Sequence, residues 1–166
     1  MEGHELINQA QKIAEALIYK LKTSSLTLSL AESCTAGQVS ALLANIPGAS
    51  DVFWGSYVCY TPQAKVSMLG LDRKKLEADG LVSAETAKAM AVAAMQKSGT
   101  GLAAAVTGLS GPAGDGSNVP VGTVFIATVM QGGDVMVRKF NFKGIRKIVS
   151  VRAAIAVLES ISVLLT

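Results

Sequence analysis

The segment AESCTAG, residues 31–37, places Ser33 between a strand pattern and a helix pattern. A serine here points its hydroxyl at the positive end of the helix, where the N–H groups that follow could stabilise a developing oxyanion. The alternative is that Ser33 or Thr35 only caps the helix, since this position favours such residues. Cys34 is a rival nucleophile, but without a histidine to activate it we expect it to pack as a small apolar side chain.

A tyrosine and a lysine five residues apart form the second candidate pair. Tyr60 ends a strand pattern, and Lys65 falls in the first turn or so of the helix that follows. The helix N-terminus disfavours a cation by about 0.3–1 kcal/mol, which lowers a lysine pKa by less than about one unit. Burial must supply the rest before Lys65 can act as a base at neutral pH. The alternative is a solvated lysine whose stem covers apolar surface.

The third candidate is a glycine-rich loop, residues 107–116, that follows a short apolar strand. Its glycines allow main-chain N–H groups to turn toward an anion. The loop lacks the Lys-Ser/Thr pair of a P-loop and does not match GxGxxG, and a plain flexible turn is the alternative. Arg146, at the start of the last helix pattern, could add a positive charge for a phosphate.

The composition excludes several kinds of chemistry. The 166 residues include one histidine, His4 near the N-terminus, and two cysteines that are far apart. We therefore expect no zinc site, no disulfide framework, no Ser-His-Asp triad and no cofactor. A net charge of +3 and 5% aromatic residues give few contacts for nucleic acid. No apolar run is long enough to span a bilayer and no signal peptide is recognised, which predicts a cytoplasmic protein.

Helical and strand periodicities alternate along the chain, with one hairpin signal at residues 131–133. Helices are predicted at residues 5–22, 36–45, 63–69, 72–79, after Ser83, and at 145–164; strands are predicted at 26–31, 52–60, 102–108, 122–130 and 134–142. This pattern predicts an α/β fold, a three-layer α/β/α sandwich with a mixed, mostly parallel sheet that contains a hairpin. We expect a single domain over residues 1–166.

The last helix pattern is apolar on more than one face. A helix of this kind must be covered on several sides, and twofold dimers are the commonest solution, so we expect a homodimer or a higher homo-oligomer. The apolar residues that suggest this are Ile148, Val149, Ala154, Val157, Ile161 and Leu164.

Taken together, these segments resemble the C-terminal domain family of the competence-damage-inducible protein CinA, whose stand-alone members are nicotinamide-nucleotide amidases. The resemblance covers about residues 6–165. It rests on five motifs in this order: AESCTAG (31–37), YTPQAK (60–65), MLG (68–70), VTGLSGPAG (106–114) and PVGTV (120–124).

The resemblance implies a serine–lysine amidase that needs neither metal nor cofactor. Ser33 would attack the carboxamide carbon, and Lys65 would take the serine proton. Tyr60 would assist this proton transfer, either as a relay or by polarisation. The substrate would be nicotinamide mononucleotide, a small nucleotide, released as its acid and ammonia. Thr107 and Arg146 match further positions that line the family's site, and we expect the binding surface to include Thr35, Gly37, Gly108, Gly111 and Gly114 as well.

Four departures from the family pattern affect these expectations. Ala36 replaces the first of two glycines, and Thr61-Pro62-Gln63 replaces Ser-Asn-Glu after the tyrosine. Val119 and Ser150 stand where basic residues are common. The nucleophile and the base match, whereas the positions that favour a phosphate do not all match. An amidase for another small carboxamide and a non-catalytic partner-binding domain are therefore the alternative functions.

Overall fold

A five-stranded sheet positions the site residues at the ends of its strands. The computed structural model describes residues 2–166, with strands β1 Leu28–Glu32, β2 Phe53–Val58, β3 Leu102–Gly108, β4 Thr123–Met130 and β5 Met136–Asn141. They lie in the order β2-β1-β3-β4-β5. Strand β1 is parallel to β2 and β3, and β4 is antiparallel to β3 and β5, so four of the five strands point the same way. The mixed sheet with its hairpin is confirmed.

Helices cover both faces of this sheet. They are α1 Glu2–Thr23, α2 Gln38–Ala44, α3 Pro62–Leu69, α4 Arg73–Asp79, α5 Ala84–Ser98 and α6 Arg146–Leu164, with a 3-10 turn at Ala49–Asp51. Helices α1, α2 and α6 pack together on one face, whereas α5 packs on the other face with α3 and α4 beside it. The predicted three-layer α/β/α sandwich is therefore confirmed. None of the described helices is both long and apolar enough to cross a membrane.

The alternation of side chains along the strands divides the core into two parts. On β3, Leu102 and Val106 face the α1, α2 and α6 layer. Ala103 and Ala105 face α5, whose inner residues are largely alanine and methionine. Small side chains on both surfaces let α5 approach the sheet closely. Both faces of β3 are therefore buried up to the C-terminal end of the strand.

Helix α6 buries its apolar faces within the chain. Val149, Ala154 and Val157 are buried against the sheet and the neighbouring helices, and Val151 and Ile155 pack against Ala10 of α1. A second copy is therefore not required to cover this helix. The homo-oligomer stays a prediction, and the apolar character of α6 no longer motivates it.

Helix α2 begins at Gln38, two residues later than its pattern predicts, because residues 34–37 form a turn. Gly37 is the N-cap with φ 93°, and the preceding Ala36 has φ 49°. Both conformations lie in the left-handed region, which disfavours residues with a Cβ atom. Ala36 therefore occupies a backbone position that suits glycine.

Replacing Ala36 by glycine should stabilise the protein. The substitution relieves a left-handed strain of about 1–2 kcal/mol and costs up to about 1 kcal/mol in chain entropy, for a net gain of about 1 kcal/mol. The measurement is the free energy of unfolding from chemical denaturation. Ala41→Gly is the matched control: Ala41 is exposed within α2, so this change should destabilise by about 1 kcal/mol. A change in the free energy of unfolding in the same direction for both variants would contradict the strain at Ala36.

Candidate active site

A serine and a lysine meet in the interior beyond the ends of β1 and β2. Lys65 Nζ donates a hydrogen bond of 2.8 Å to Ser33 Oγ and a second of 3.0 Å to the Cys59 carbonyl oxygen. Both side chains are buried, with Ser33 7% and Lys65 2% exposed. The two residues that the sequence singled out in separate segments are thus in direct contact.

The start of helix α3 explains the position of Lys65. The Thr61 hydroxyl accepts the N–H of Ala64 at 3.1 Å, and Pro62 occupies the first helical position. This is the helix start that the sequence predicts. It places Lys65 one turn into the helix, on the side that faces β1. The alternative of a solvated lysine is therefore wrong.

Burial lowers the pKa of Lys65 below the ordinary value of 10.5, against a smaller opposite effect of the nearby Cys59 and Cys34 thiols. Among the described residues no carboxylate forms a salt bridge with Lys65. Without an anion beside it, a buried ammonium loses its hydration and gains little in return. The site therefore favours the neutral amine, which is the form that can accept a proton.

The buried carboxylate of Glu32 is a residue that sequence reasoning missed. Glu32 is the last residue of β1 and is fully buried. Its Oε2 accepts hydrogen bonds from the Thr35 hydroxyl at 2.7 Å and from the N–H groups of Gly37 and Val39 at 3.1 Å. Its Oε1 accepts from the N–H of Ser40 at 2.9 Å, from the Ser40 hydroxyl, and from the Ser56 hydroxyl at 3.4 Å.

Glu32 caps helix α2, so Ser33 and Thr35 do not. The first-turn N–H groups of α2 donate to the Glu32 carboxylate, and the Thr35 hydroxyl is held by the same group. The interpretation of Ser33 or Thr35 as a helix cap is therefore wrong. The N–H groups of Cys34 and Thr35 donate to no acceptor within residues 2–166. The Cys34 N–H follows the nucleophile directly, at a residue that lines the cavity, and is available to a negatively charged oxygen.

The three candidate segments line one cavity of about 280 Å³. The cavity brings together six of the predicted site residues with Ser33, Lys65 and Cys34: Tyr60, Thr107, Gly108, Gly111, Gly114 and Arg146. Thr35 and Gly37 do not line it, because both are bound to Glu32 behind the turn. The Thr107 hydroxyl donates to the Leu81 carbonyl oxygen at 2.8 Å. It therefore supports the cavity wall that Leu81 and Val82 form.

Tyr60 is paired with Arg146 at the mouth of the cavity. Arg146 Nη1 donates to the Tyr60 hydroxyl oxygen at 3.1 Å, and the Tyr60 side chain is 53% exposed. Within the described residues no hydrogen bond joins Tyr60 to Lys65 or Ser33. This geometry gives Tyr60 contact with the arginine rather than with the base, so the unliganded site has no proton path through the phenol.

The Cys34 thiol is a poor competitor for the nucleophile role. Burial raises the pKa of Cys34 to about 12, and burial also raises the pKa of Cys59. A thiol attacks as the thiolate, and neither cysteine forms that species readily near neutral pH. Within residues 2–166 no group of His, Cys, Asp and Glu side chains is arranged to hold a metal ion.

Gly108 is required by close packing at the end of β3. A Cβ atom at this position would lie 2.8 Å from the Thr123 carbonyl oxygen and 3.1 Å from Cys34 Sγ. The glycine thus lets the loop approach the nucleophile turn. At this position the loop is a packed wall of the cavity rather than a flexible turn.

Sequence reasoning missed Glu32, the Leu81 carbonyl and the partner of Tyr60 for a common reason. The Thr107–Leu81 and Tyr60–Arg146 contacts join residues that are 26 and 86 positions apart. The Glu32 contacts connect the end of a strand to a helix that begins beyond a turn. An acidic residue at the end of a strand just before a helix start was the one available signal, since helix N-termini favour carboxylates. That signal would have separated the capping residue from the nucleophile.

The comparisons with known proteins agree on one family. The sequence model of the CinA C-terminal domain matches residues 10–165. A CinA-like protein of Geobacter metallireducens is 39% identical over 157 residues, which are 95% of this chain and 38% of that protein. A CinA-like protein of Thermotoga maritima is 36% identical over 151 residues, covering 91% of this chain and 36% of its own. The chain thus spans less than two fifths of the length of these curated relatives.

Solved structures show the same fold. The competence/damage inducible protein CihA from Agrobacterium tumefaciens superposes with a TM-score of 0.90 at 34% identity, covering 94% of this chain and 95% of its own. A CinA superfamily protein from Escherichia coli also gives a TM-score of 0.90, at 28% identity, with 93% and 90% covered. These structures each cover more than nine tenths of this chain.

Replacing Glu32 by glutamine should destabilise the protein by about 3 kcal/mol. Whichever position the amide NH2 takes, the donors at one end of the side chain lose their acceptor, and buried unpaired donors cost about 1–3 kcal/mol each. The free energy of unfolding is the measurement. Glu85→Gln is the control, because the Glu85–Lys88 pair is exposed and its loss should cost less than about 0.5 kcal/mol. Similar losses in the two variants would contradict the capping role.

Proposed function

Because this chain belongs to the CinA C-terminal domain family, we propose that it is a serine–lysine amide hydrolase whose substrate is nicotinamide mononucleotide. The observation that carries the proposal is the 2.8 Å contact between Lys65 Nζ and Ser33 Oγ inside a buried cavity. The lowered pKa of Lys65 and the free N–H groups after Ser33 support it. A nucleophile, a base and oxyanion donors are the minimum set for acyl transfer.

In the acylation step, Ser33 Oγ attacks the carboxamide carbon while its proton passes to the neutral Lys65 amine. The carbonyl π electrons move to oxygen, and the N–H of Cys34 stabilises that charge. When the tetrahedral intermediate collapses, the C–N bond breaks and the Lys65 ammonium returns the proton to the leaving nitrogen. The products of this step are an acyl ester on Ser33 and ammonia.

In the deacylation step, water attacks the ester on Ser33 and gives a proton to Lys65. The bond between the acyl carbon and Ser33 Oγ breaks, and the proton returns to the serine oxygen. The acid is released and Lys65 is again neutral. One base therefore serves both steps, and the reaction needs no histidine.

The phosphate of the substrate is assigned to the start of α6. The first turn of α6 carries Arg146 and Lys147 with no acidic residue, and no side chain caps the helix. Cations at a helix N-terminus are unfavourable, and a bound phosphate would offset both the dipole and the side-chain charges. The glycine loop on the opposite wall adds main-chain N–H groups.

The cavity volume bears on the size of the substrate. About 280 Å³ is at the small end for a ligand site, which favours the second candidate function, hydrolysis of a smaller carboxamide. A second cavity of about 500 Å³ shares Cys34, Tyr60 and Arg146 with the first and is also lined by Lys147. A ribose phosphate can extend into it across the Tyr60–Arg146 pair, which supports the mononucleotide.

Ser33→Ala should abolish ammonia release from nicotinamide mononucleotide, with a loss of at least about 1000-fold, because no other nucleophile is placed beside Lys65. The variant should unfold at the same denaturant concentration as the wild type. Cys34→Ala is the matched control, since it keeps the main-chain N–H and should lose far less activity. Near-normal turnover by a folded Ser33→Ala protein would contradict the proposed function.

The pH dependence should identify Lys65 as the base. Below the lowered pKa the amine is protonated and cannot accept the Ser33 proton, so kcat/KM should rise with pH through that pKa and then level off. Lys65→Arg keeps a cation that does not deprotonate and should be inactive at every pH tested between about 6 and 10. Lys88→Arg, on the solvent side of α5, should match the wild type. An active arginine variant with the wild-type profile would show that another group takes the proton.

Removal of the substrate phosphate should reduce turnover. Nicotinamide riboside lacks the group assigned to Arg146, so its kcat/KM should be at least about tenfold lower than that of nicotinamide mononucleotide. Arg146→Ala should remove this difference, whereas Lys74→Ala on the exposed helix α4 should preserve it. Equal rates on the two compounds in the wild type would remove phosphate recognition from the proposal and leave the smaller carboxamide.

A further inference from the structure

Ser110 Oγ is the one buried side-chain nitrogen or oxygen atom within residues 2–166 that has no hydrogen-bond partner. Ser110 is 6% exposed. The hydroxyl lies near the Cys34 thiol and slightly lowers the pKa of that thiol, but the pair does not have full hydrogen-bond geometry. Buried polar groups are almost always paired, and an exception in a native fold calls for a reason. The exception here lies at the proposed active site.

The main chain around Ser110 is held on both sides. The N–H of Leu109 donates to the Thr123 carbonyl oxygen at 2.9 Å, and the Leu109 carbonyl accepts the N–H of Gly122 at 2.7 Å. Ser110 follows these bonds directly and lines the cavity that also contains Ser33 and Lys65. A serine side chain has three staggered positions about its Cα–Cβ bond. The hydroxyl can therefore turn without movement of the loop.

The other hydroxyls that line this cavity already have partners. Ser33 Oγ accepts from Lys65, the Thr107 hydroxyl donates to Leu81, and the Tyr60 hydroxyl accepts from Arg146. Ser110 is thus the only cavity hydroxyl of the described chain without a hydrogen bond. Its oxygen can accept a hydrogen bond from a ligand once the side chain turns toward the cavity.

A primary carboxamide brings a group that can donate this hydrogen bond. Its oxygen is assigned to the Cys34 N–H, which leaves two amide hydrogens that need an acceptor in the cavity. We infer that Ser110 Oγ accepts a hydrogen bond from the carboxamide nitrogen of the substrate and thereby selects carboxamides over esters of the same acyl group. This inference rests on the proposed amidase function. An ester has an oxygen in place of the nitrogen and offers no hydrogen to Ser110.

The test compares two substrates with the same acyl group: nicotinamide mononucleotide and the methyl ester of nicotinate mononucleotide. Both yield nicotinate mononucleotide, so one chromatographic assay measures both. Ser110→Ala should lower kcat/KM for the carboxamide about tenfold, the effect of one lost hydrogen bond, and leave the ester unchanged. Its thermal unfolding temperature should be no lower than that of the wild type, because the removed hydroxyl had no partner. Ser117→Ala, at an exposed serine just after this loop, is the matched control and should preserve the ratio of the two rates.

The possible results separate this inference from the proposed function. Equal losses on both substrates, or no loss on either, would overturn the role of Ser110 and leave the amidase in place. A wild-type protein that hydrolyses the ester but not the carboxamide, or neither compound, would overturn the proposed function and the role of Ser110 with it. A selective loss on the carboxamide with unchanged stability supports both.

Discussion

The buried carboxylate of Glu32 is the constraint on which the site depends. A carboxylate fully removed from water is stable only if donors replace its hydration. Here the donors come from one turn and one helix start, which converge on its two oxygens. Because the carboxylate binds the Thr35 hydroxyl and the N–H groups of Gly37, Val39 and Ser40, it holds the turn of residues 33–37 that carries Ser33.

The neighbouring residues Glu32 and Ser33 have different roles at the end of β1. The Glu32 side chain turns toward helix α2, whereas the Ser33 side chain turns toward helix α3 and Lys65. The surroundings of the Glu32 carboxylate and of the Lys65 amine affect a buried charge in opposite ways. The Glu32 carboxylate is surrounded by hydrogen-bond donors, while the lysine has only a carbonyl and a hydroxyl beside it. The fold thus stabilises a buried carboxylate on one side of the β1 end and disfavours a buried ammonium on the other side.

The sequence predicted the elements well where local chemistry decides their ends. Thr61-Pro62 marks the start of α3 as predicted, whereas α2 begins two residues after its predicted start because the turn at Ala36 was not recognised. The contact between Ser33 and Lys65 came from the resemblance to a family, because no local rule states that two segments 32 residues apart meet. The burial of Lys65, the capping by Glu32 and the Tyr60–Arg146 pair all depend on the tertiary arrangement of strands and helices. Periodicity and spacing carry no information about them.

The parallel pairing of β1 with β2 also has a consequence for the order of events in folding. The ladder between these strands extends beyond both ends, where the N–H of Cys59 donates to the Glu32 carbonyl oxygen at 2.9 Å. This bond sets Cys59, whose own carbonyl receives Lys65, beside the residue that precedes Ser33. Parallel pairing joins segments distant in sequence and forms late relative to local helices. Until it forms, Lys65 remains in water as an ordinary ammonium, so a nascent or partly folded chain is unreactive at Ser33, and reactivity there reports that β1 and β2 have paired.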